Sequence, residues 1–201
     1  MKITGDLIKS GDYTYALNSD STSYIIIEYS GPESVVITPK KFNGKPVSRI
    51  GSFAFYNHKN LISITITNNI KFLGGLSFGN CKSLKTVKFL SGGEYEIGHC
   101  AFRGCDILKN VDLTDVKILR ASCFAWCPSL QKIICPKSVV YFGSNCFYRV
   151  NIDLTIECDN ISLMTVEPYA FYFIGFNSKI NFTGVSQPTK VVGVPAAGSN
   201  S

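Results

Sequence analysis

The chain has 201 residues, 45% of them hydrophobic and 17% charged, with a formal net charge of +6. That much apolar side chain excludes a disordered chain, and the length suits one domain with a sizeable core. Apolar runs such as Tyr24-Ile25-Ile26-Ile27 are strand-sized, and none approaches the ~18 residues of a membrane-spanning helix, so no membrane insertion is expected.

The 20 Lys and Arg are scattered along the chain, with Lys40-Lys41 the one adjacent pair. A nucleic-acid footprint would gather them on one face with stacking aromatics, so no nucleic-acid partner is expected. The opening residues, Met1-Lys2-Ile3-Thr4-Gly5-Asp6, contain no apolar h-region. The chain therefore reads either as cytoplasmic or as an exported protein whose signal has been removed.

Residues 1–34 lack any internal repeat. Tyr13–Leu17 and Tyr24–Tyr29 are strand-like and flank Asn18–Ser23, which predicts a hairpin whose task is to cap an exposed core. From residue 35 to 186 the chain is periodic. Phe55, Phe78, Phe102, Phe124, Phe147 and Phe171 follow one another at intervals of 23, 24, 22, 23 and 24 residues.

The flanks of these six markers repeat too. Five residues before each stands Ile50, Leu73, Ile97, Leu119, Phe142 or Val166. The next position is Gly51, Gly74, Gly98 and Gly143 in four units, with Arg120 and Glu167 in the others. A small residue precedes each marker (Ala54, Ser77, Ala101, Cys123, Cys146, Ala170), and His58, Cys81, Cys105, Cys127, Val150 or Ile174 follows three later.

Nine and eleven residues after the marker come apolar pairs, from Ile64/Ile66 and Val87/Phe89 to Ile156/Cys158 and Ile180/Phe182. Apolar residues at period two predict a short strand with one face inward. The Gly suits a tight bend, and the small-Phe-x-x-Cys segment predicts a short helical or 3₁₀ turn. Such a unit cannot bury its apolar side alone, so neighbours must stack and share it. In unit five Asp153 takes the place of the expected Leu, with Leu154 one later, which predicts a one-residue bulge.

The segment Ile50-Gly-Ser-Phe-Ala-Phe-Tyr-Asn-His-Lys-Asn-Leu61-Ile-Ser-Ile-Thr-Ile66 resembles the I-G-x-x-A-F-x-x-C-x-x-L-x-x-I-x-I unit of the BspA-like leucine-rich-repeat family, as does Ile97-Gly98 through Leu113. Val35-Val36-Ile37-Thr38-Pro39 with Asn43-Gly44-Lys45 is similar to that family's first strand and its loop into repeat one. The resemblance covers about residues 34–183. It implies an α/β repeat solenoid: a right-handed leucine-rich-repeat coil, parallel sheet on the concave face, short turns on the convex face. It also implies a secreted or cell-surface module for adhesion and protein–protein contact.

Residues 187–201 are small and rich in Pro and Gly and read as a flexible tail. No C-terminal capping unit is visible, so the last strand, Lys179–Thr183, is expected to leave an open edge suited to self-association or to further repeats.

No P-loop or H-E-x-x-H motif occurs, and the acidic residues are dispersed, so neither an enzyme nor a cofactor is expected. The eight Cys fall in repeat columns that, the column of Cys100 excepted, are held mostly by small or apolar residues in other units. They read as buried free thiols rather than as disulfides or metal ligands. His58 reads as a part-buried turn residue and His99 as solvated. Asn160-Ile-Ser162 and Asn181-Phe-Thr183 match the glycosylation pattern, at a frequency that chance alone supplies.

Outward residues of the repeated strands form the candidate partner site: Thr65, Lys88, Asp112, Ile134 and Glu157 in one column, Lys132 in the column before it, and Leu90 in the column after. The expected function is a non-enzymatic protein-binding or adhesion module. A carbohydrate-binding surface and a structural spacer in a longer array are the alternatives.

Overall fold

The computed structural model describes residues 3–150, 153–157, 164–172 and 179–183. The chain begins with β1 (Ile3–Ser10), β2 (Tyr13–Asn18) and β3 (Tyr24–Tyr29), an antiparallel meander. The predicted hairpin corresponds to β2 and β3, and β1 adds a third strand beyond it. Every later rung contributes two strands, one to each of two sheet faces.

One face is the anticipated parallel sheet. Its strands are β4 (Val35–Ile37), β7 (Ser63–Ile66), β9 (Thr86–Phe89) and β11 (Asn110–Asp112), paired in the order β4-β7-β9-β11. A second group, β13 (Lys132–Cys135), β15 (Asp153–Glu157) and β17 (Lys179–Thr183), continues the same role in later rungs. The ladder is interrupted between β11 and β13. There Asp112 turns its carboxylate back to accept from the N–H and hydroxyl of Thr114 (3.0 and 2.6 Å), closing a local turn.

The other face is a second parallel sheet on the strands before each marker. It runs through β6 (Lys45–Ile50), β8 (Phe72–Leu73), β10 (Tyr95–Ile97), β12 (Val116–Leu119), β14 (Tyr141–Phe142) and β16 (Thr165–Val166). Strand β3 pairs parallel with β6, so the N-terminal meander extends this sheet directly; the short β5 (Lys41–Phe42) pairs antiparallel with β6.

The marker phenylalanines form one vertical row. Successive ring centroids from Phe55 to Phe171 are 4.9, 5.1, 5.3, 5.8 and 6.4 Å apart, and the last four pairs lie 4–6° from parallel. Tyr29 of β3 adds a seventh ring, 4.9 Å from Phe55. Among the described residues, Ile50, Leu73, Ile97, Leu119 and Phe142, five before their markers, and inward strand residues such as Ile64, Ile66, Val87, Phe89, Ile133 and Cys135 are buried beside this row in one continuous core, with Val111 and Val166 partly buried against it.

Around each marker the chain makes linked turns, and no helix forms among the described residues. In the first rung Ala54, Tyr56 and His58 donate to the carbonyls three residues back (3.4, 2.9 and 3.2 Å). The alternating residues Phe53, Phe55 and Asn57 instead donate to Gly75, Ser77 and Gly79 of the next rung (3.1, 2.7 and 2.8 Å). A helix would direct all these N–H groups along its own axis; here half of them tie rung to rung.

This alternation requires left-handed residues two before and two after the marker. Phe53, Leu76, Cys100, Ser122, Asn145 and Tyr169 hold φ of 53–64° in the first position, and Asn57, Asn80, Gly104, Trp126 and Arg149 hold 56–73° in the second. The bend glycines differ from expectation, because none of Gly51, Gly74, Gly98 and Gly143 has a left-handed φ. Their need for Gly is close approach: a Cβ on Gly51 would stand 2.9 Å from Ile26 O, one on Gly74 would collide with the backbone of Gly51 and Ser52, and one on Gly98 with Leu73 O.

Candidate binding surfaces

On the first sheet the register is Thr65↔Lys88↔Asp112 through β7, β9 and β11, so those three side chains form one continuous row. Lys88 and Asp112 are exposed and Thr65 is half-buried. Farther along, Lys132 pairs with Asp153 and Ile134 with Thr155. Ile134 is 46% exposed, and Lys132 is exposed beside it.

Glu157 does not share that row. It pairs with Thr183, two positions beyond the row of Ile134, Thr155 and Asn181. Unit five is two residues shorter between Phe147 and its strand than its neighbours, so the register pair of Ile133 and Cys135 is Leu154 and Ile156, not Ile156 and Cys158. The predicted one-residue bulge is thus a two-residue deletion. Leu90 is half-buried, and its carbonyl accepts from Tyr95 Oη at 2.5 Å.

Strand β4 adds residues that periodicity alone did not single out. It pairs in register with β7 and buries Val36, while Val35 and Ile37 are each 66% exposed at the start of the two outward rows. The signal was present in Val35-Val36-Ile37, but an apolar triplet does not say which members face outward.

The turn edge carries a second group. Trp126, Tyr148, Tyr169 and Tyr172 lie together in the last rungs, with centroid separations of 6.1 Å (Trp126–Tyr148), 6.3 Å (Tyr148–Tyr172) and 5.4 Å (Tyr169–Tyr172). The Arg149 guanidinium sits over the Trp126 indole at 4.4 Å and beside Tyr148 at 5.7 Å.

The second sheet carries a polar strip. Arg120 Nε donates to Glu96 Oε1 at 2.7 Å, and the guanidinium lies over the Tyr141 ring. Tyr141 Oη donates to Glu167 Oε1, while Glu167 Oε2 accepts from the N–H and hydroxyl of Ser144 (2.8 and 3.1 Å). The Tyr141 and Ser144 donors hold the Glu167 carboxyl below its ordinary pKa. Arg120 and Glu167 occupy the glycine column, each stacked on a rung that has Gly there, Gly98 and Gly143 respectively.

The thiols belong to the core. Six of the seven described Cys are buried, and Cys100 is half-exposed; none is in a disulfide. Cys81, Cys105 and Cys127 donate S–H to the carbonyls of Phe55, Phe78 and Phe102 in the preceding rung (3.0, 3.2 and 3.1 Å). Burial pushes the Cys81 and Cys127 thiols up to about 12, and those of Cys105, Cys123, Cys135 and Cys146 well up too. Cys158, the tail and both glycosylation-type Asn side chains lie outside the described residues.

His58 reaches from the first rung to the N-terminal meander: Nε2 lies 2.9 Å from Gly31 O, and the ring packs 5.2 Å from Tyr29. His99 is exposed. Among the described residues, no group of three or more His, Cys, Asp or Glu is placed to hold a metal ion, and no helix is long and apolar enough to cross a membrane.

The family model described as BspA type leucine rich repeat region matches residues 48–184 in six copies. The fold is similar to that of a T. pallidum leucine-rich repeat protein (24% identity, 76% of this chain and 71% of that one, TM-score 0.67). It is also similar to a leucine-rich cell surface protein from Faecalibacterium prausnitzii (24% identity, 89% of this chain but 55% of that one, TM-score 0.68). The pneumococcal vaccine antigen PcpA shares the fold at 17% identity, over 90% of this chain and 65% of that one, with a TM-score of 0.55. No curated protein matches the sequence.

Proposed function

The chain belongs to the BspA-type leucine-rich repeat family, and from that premise we propose that it binds another protein on its first sheet, without catalysis, as a surface-displayed adhesion or recognition module. The single observation that carries this reading is the outward row Thr65–Lys88–Asp112, preceded by exposed Ile37, with exposed Ile134 at the equivalent repeat position beyond the break in the ladder. Mixed charge between apolar ends, on a rigid strand ladder, is what a polypeptide partner can match in shape and charge. The cell-surface description of the F. prausnitzii relative and the antigen description of PcpA support display outside the cell.

The test is site-specific photocrosslinking against a membrane extract, with the crosslinker placed at Lys88 on the sheet or at Arg103 on the turn edge. The reading predicts a discrete adduct from position 88 that a Lys88→Glu/Ile134→Asp variant competes poorly. Equal adducts from both positions contradict it.

A carbohydrate-binding reading draws on one observation, the exposed aromatics Trp126 and Tyr172 with half-buried Tyr148 between them. The Trp126 and Tyr148 planes differ by 62°, and Arg149 lies over the indole. Sugar rings need open, flat faces, so this geometry supports protein contact better. Saturable binding on a glycan array, abolished by Trp126→Ala, would reverse that order.

A further inference from the structure

The repeat symmetry of the second sheet gives two equivalent sites at opposite ends of the coil, one filled by the chain's own Glu167 and one without such a carboxylate. Ser144 stands three residues before its marker Phe147, and its N–H and hydroxyl are taken by the carboxylate of Glu167, four before the next marker. Tyr141, six before the marker, donates the remaining bond. The corresponding residues in the first rungs are Ser52, Gly74 and Arg49.

At that first site the internal carboxylate is missing, because a side chain at position 74 would run into the backbone of Gly51 and Ser52. What remains is a groove of about 490 Å³, lined among others by Arg49, Ser52, Phe72, Gly74, Gly75 and His99. Among the described residues, no acidic one lines it. Ser52 is exposed, and neither its N–H nor its hydroxyl meets a partner among the described residues. Arg49 replaces the phenol donor of Tyr141 with a guanidinium, set over the Phe72 ring at 5.2 Å. The hydroxyl and N–H of Thr22, donating to Asp20 Oδ1, and to a lesser degree the Arg49 charge hold the Asp20 carboxyl below its ordinary pKa.

We propose that this groove is a carboxylate-binding site, in which Arg49 and the N–H and hydroxyl of Ser52 receive a carboxylate from outside the chain. Its donor set reproduces the Glu167 site with a stronger, charged donor in place of the Tyr hydroxyl. The ligand chemistry is a carboxylate, supplied by a partner's acidic side chain or by a small organic acid. The site lies on the second sheet, so its test leaves the reading of the first sheet untouched.

The experiment is a titration of ¹⁵N-labelled protein with sodium acetate, with sodium chloride as the control, followed at the backbone amides. Saturable shifts at Ser52 and Gly75 are expected, with a dissociation constant on the order of 10 mM for so small a ligand, while Ser144 stays still. Arg49→Gln should weaken the Ser52 response about tenfold. Glu167→Gly should open the second site, so that Ser144 now responds to acetate while Ser52 responds as before. A capped tetraglutamate peptide binding at Ser52 more tightly than acetate identifies a protein side chain as the source; equal affinity identifies a small acid. An unmoved Ser52 amide, or an Arg49→Gln titration identical to that of the unaltered protein, overturns the proposal.

Discussion

Phe102 and Phe124 stand 5.3 Å apart with ring planes only 4° from parallel, and both are fully buried. Sequence distance of 22 residues has become direct contact because each rung returns the chain to the same point above the last. The backbone follows the same rule, with Phe102 N–H donating to Cys123 O and Phe124 N–H to Cys146 O (2.8 and 2.9 Å). Side-chain stacking and rung-to-rung hydrogen bonding therefore fix one another's register.

Ser77 occupies the position before its marker, where Ala54 and Ala101 stand in the flanking rungs. It is completely buried, and its hydroxyl has no hydrogen-bond partner among the described residues. A buried hydroxyl without a partner costs free energy that Ala does not incur. Ser77→Ala should stabilise the protein by about 1 kcal/mol, read as a higher urea midpoint with an unchanged m-value; a loss of stability would mean that the hydroxyl does bond within the core.

Two backbone positions predict opposite outcomes for glycine. Cys100 holds a φ of 55°, which costs a non-glycine residue roughly 1 kcal/mol, so Cys100→Gly should raise the melting temperature by a few degrees. Gly98 has no such angle but abuts Leu73 O, so Gly98→Ala should cost at least 1–3 kcal/mol through the displaced rung. Thermal melts of the two variants check both; a neutral Gly98→Ala would remove the close-approach explanation.

The buried thiols give the fold an alkaline limit. Their folded pKa values lie above the roughly 8.5 of an unfolded thiol, so the unfolded state binds fewer protons once the pH passes that value. The stabilisation is fully present below about pH 8.5 and is lost as pH rises from there towards about 12. The melting temperature should therefore decline steadily above pH 9, and Cys105→Ala/Cys127→Ala should flatten that decline. At pH 8, a thiol reagent should modify Cys100 while Cys81, Cys105, Cys123, Cys127, Cys135 and Cys146 react only on unfolding.

The core was legible in the sequence because its residues recur in type as well as in spacing. The second sheet was not, since strands such as Phe72–Leu73 and Tyr141–Phe142 are too short to display alternation. Only their buried member, five residues before the marker, stood out. The misplacement of Glu157 has a specific cause: a two-residue deletion leaves a period-two pattern in phase, so Ile156 still looked inward while its rung partner had changed. Gly51, Gly74, Gly98 and Gly143 looked like bend residues because a sequence cannot separate a left-handed angle from lack of room. The left-handed columns were hidden for the reverse reason, as Phe53, Leu76, Cys100 and Trp126 share no chemistry. The paired roles of Ser144 and Glu167 emerge only when rungs are superposed.

The most direct measurement of the stacked ladder is a double-mutant cycle in urea on Phe102→Leu and Phe124→Leu, beside a second cycle on Phe55→Leu and Phe147→Leu. Each single change should cost about 1–2 kcal/mol. The adjacent pair should show a coupling of roughly 0.5–1.5 kcal/mol, and the distant pair should add within about 0.5 kcal/mol. Additivity in the Phe102/Phe124 cycle would contradict the ladder.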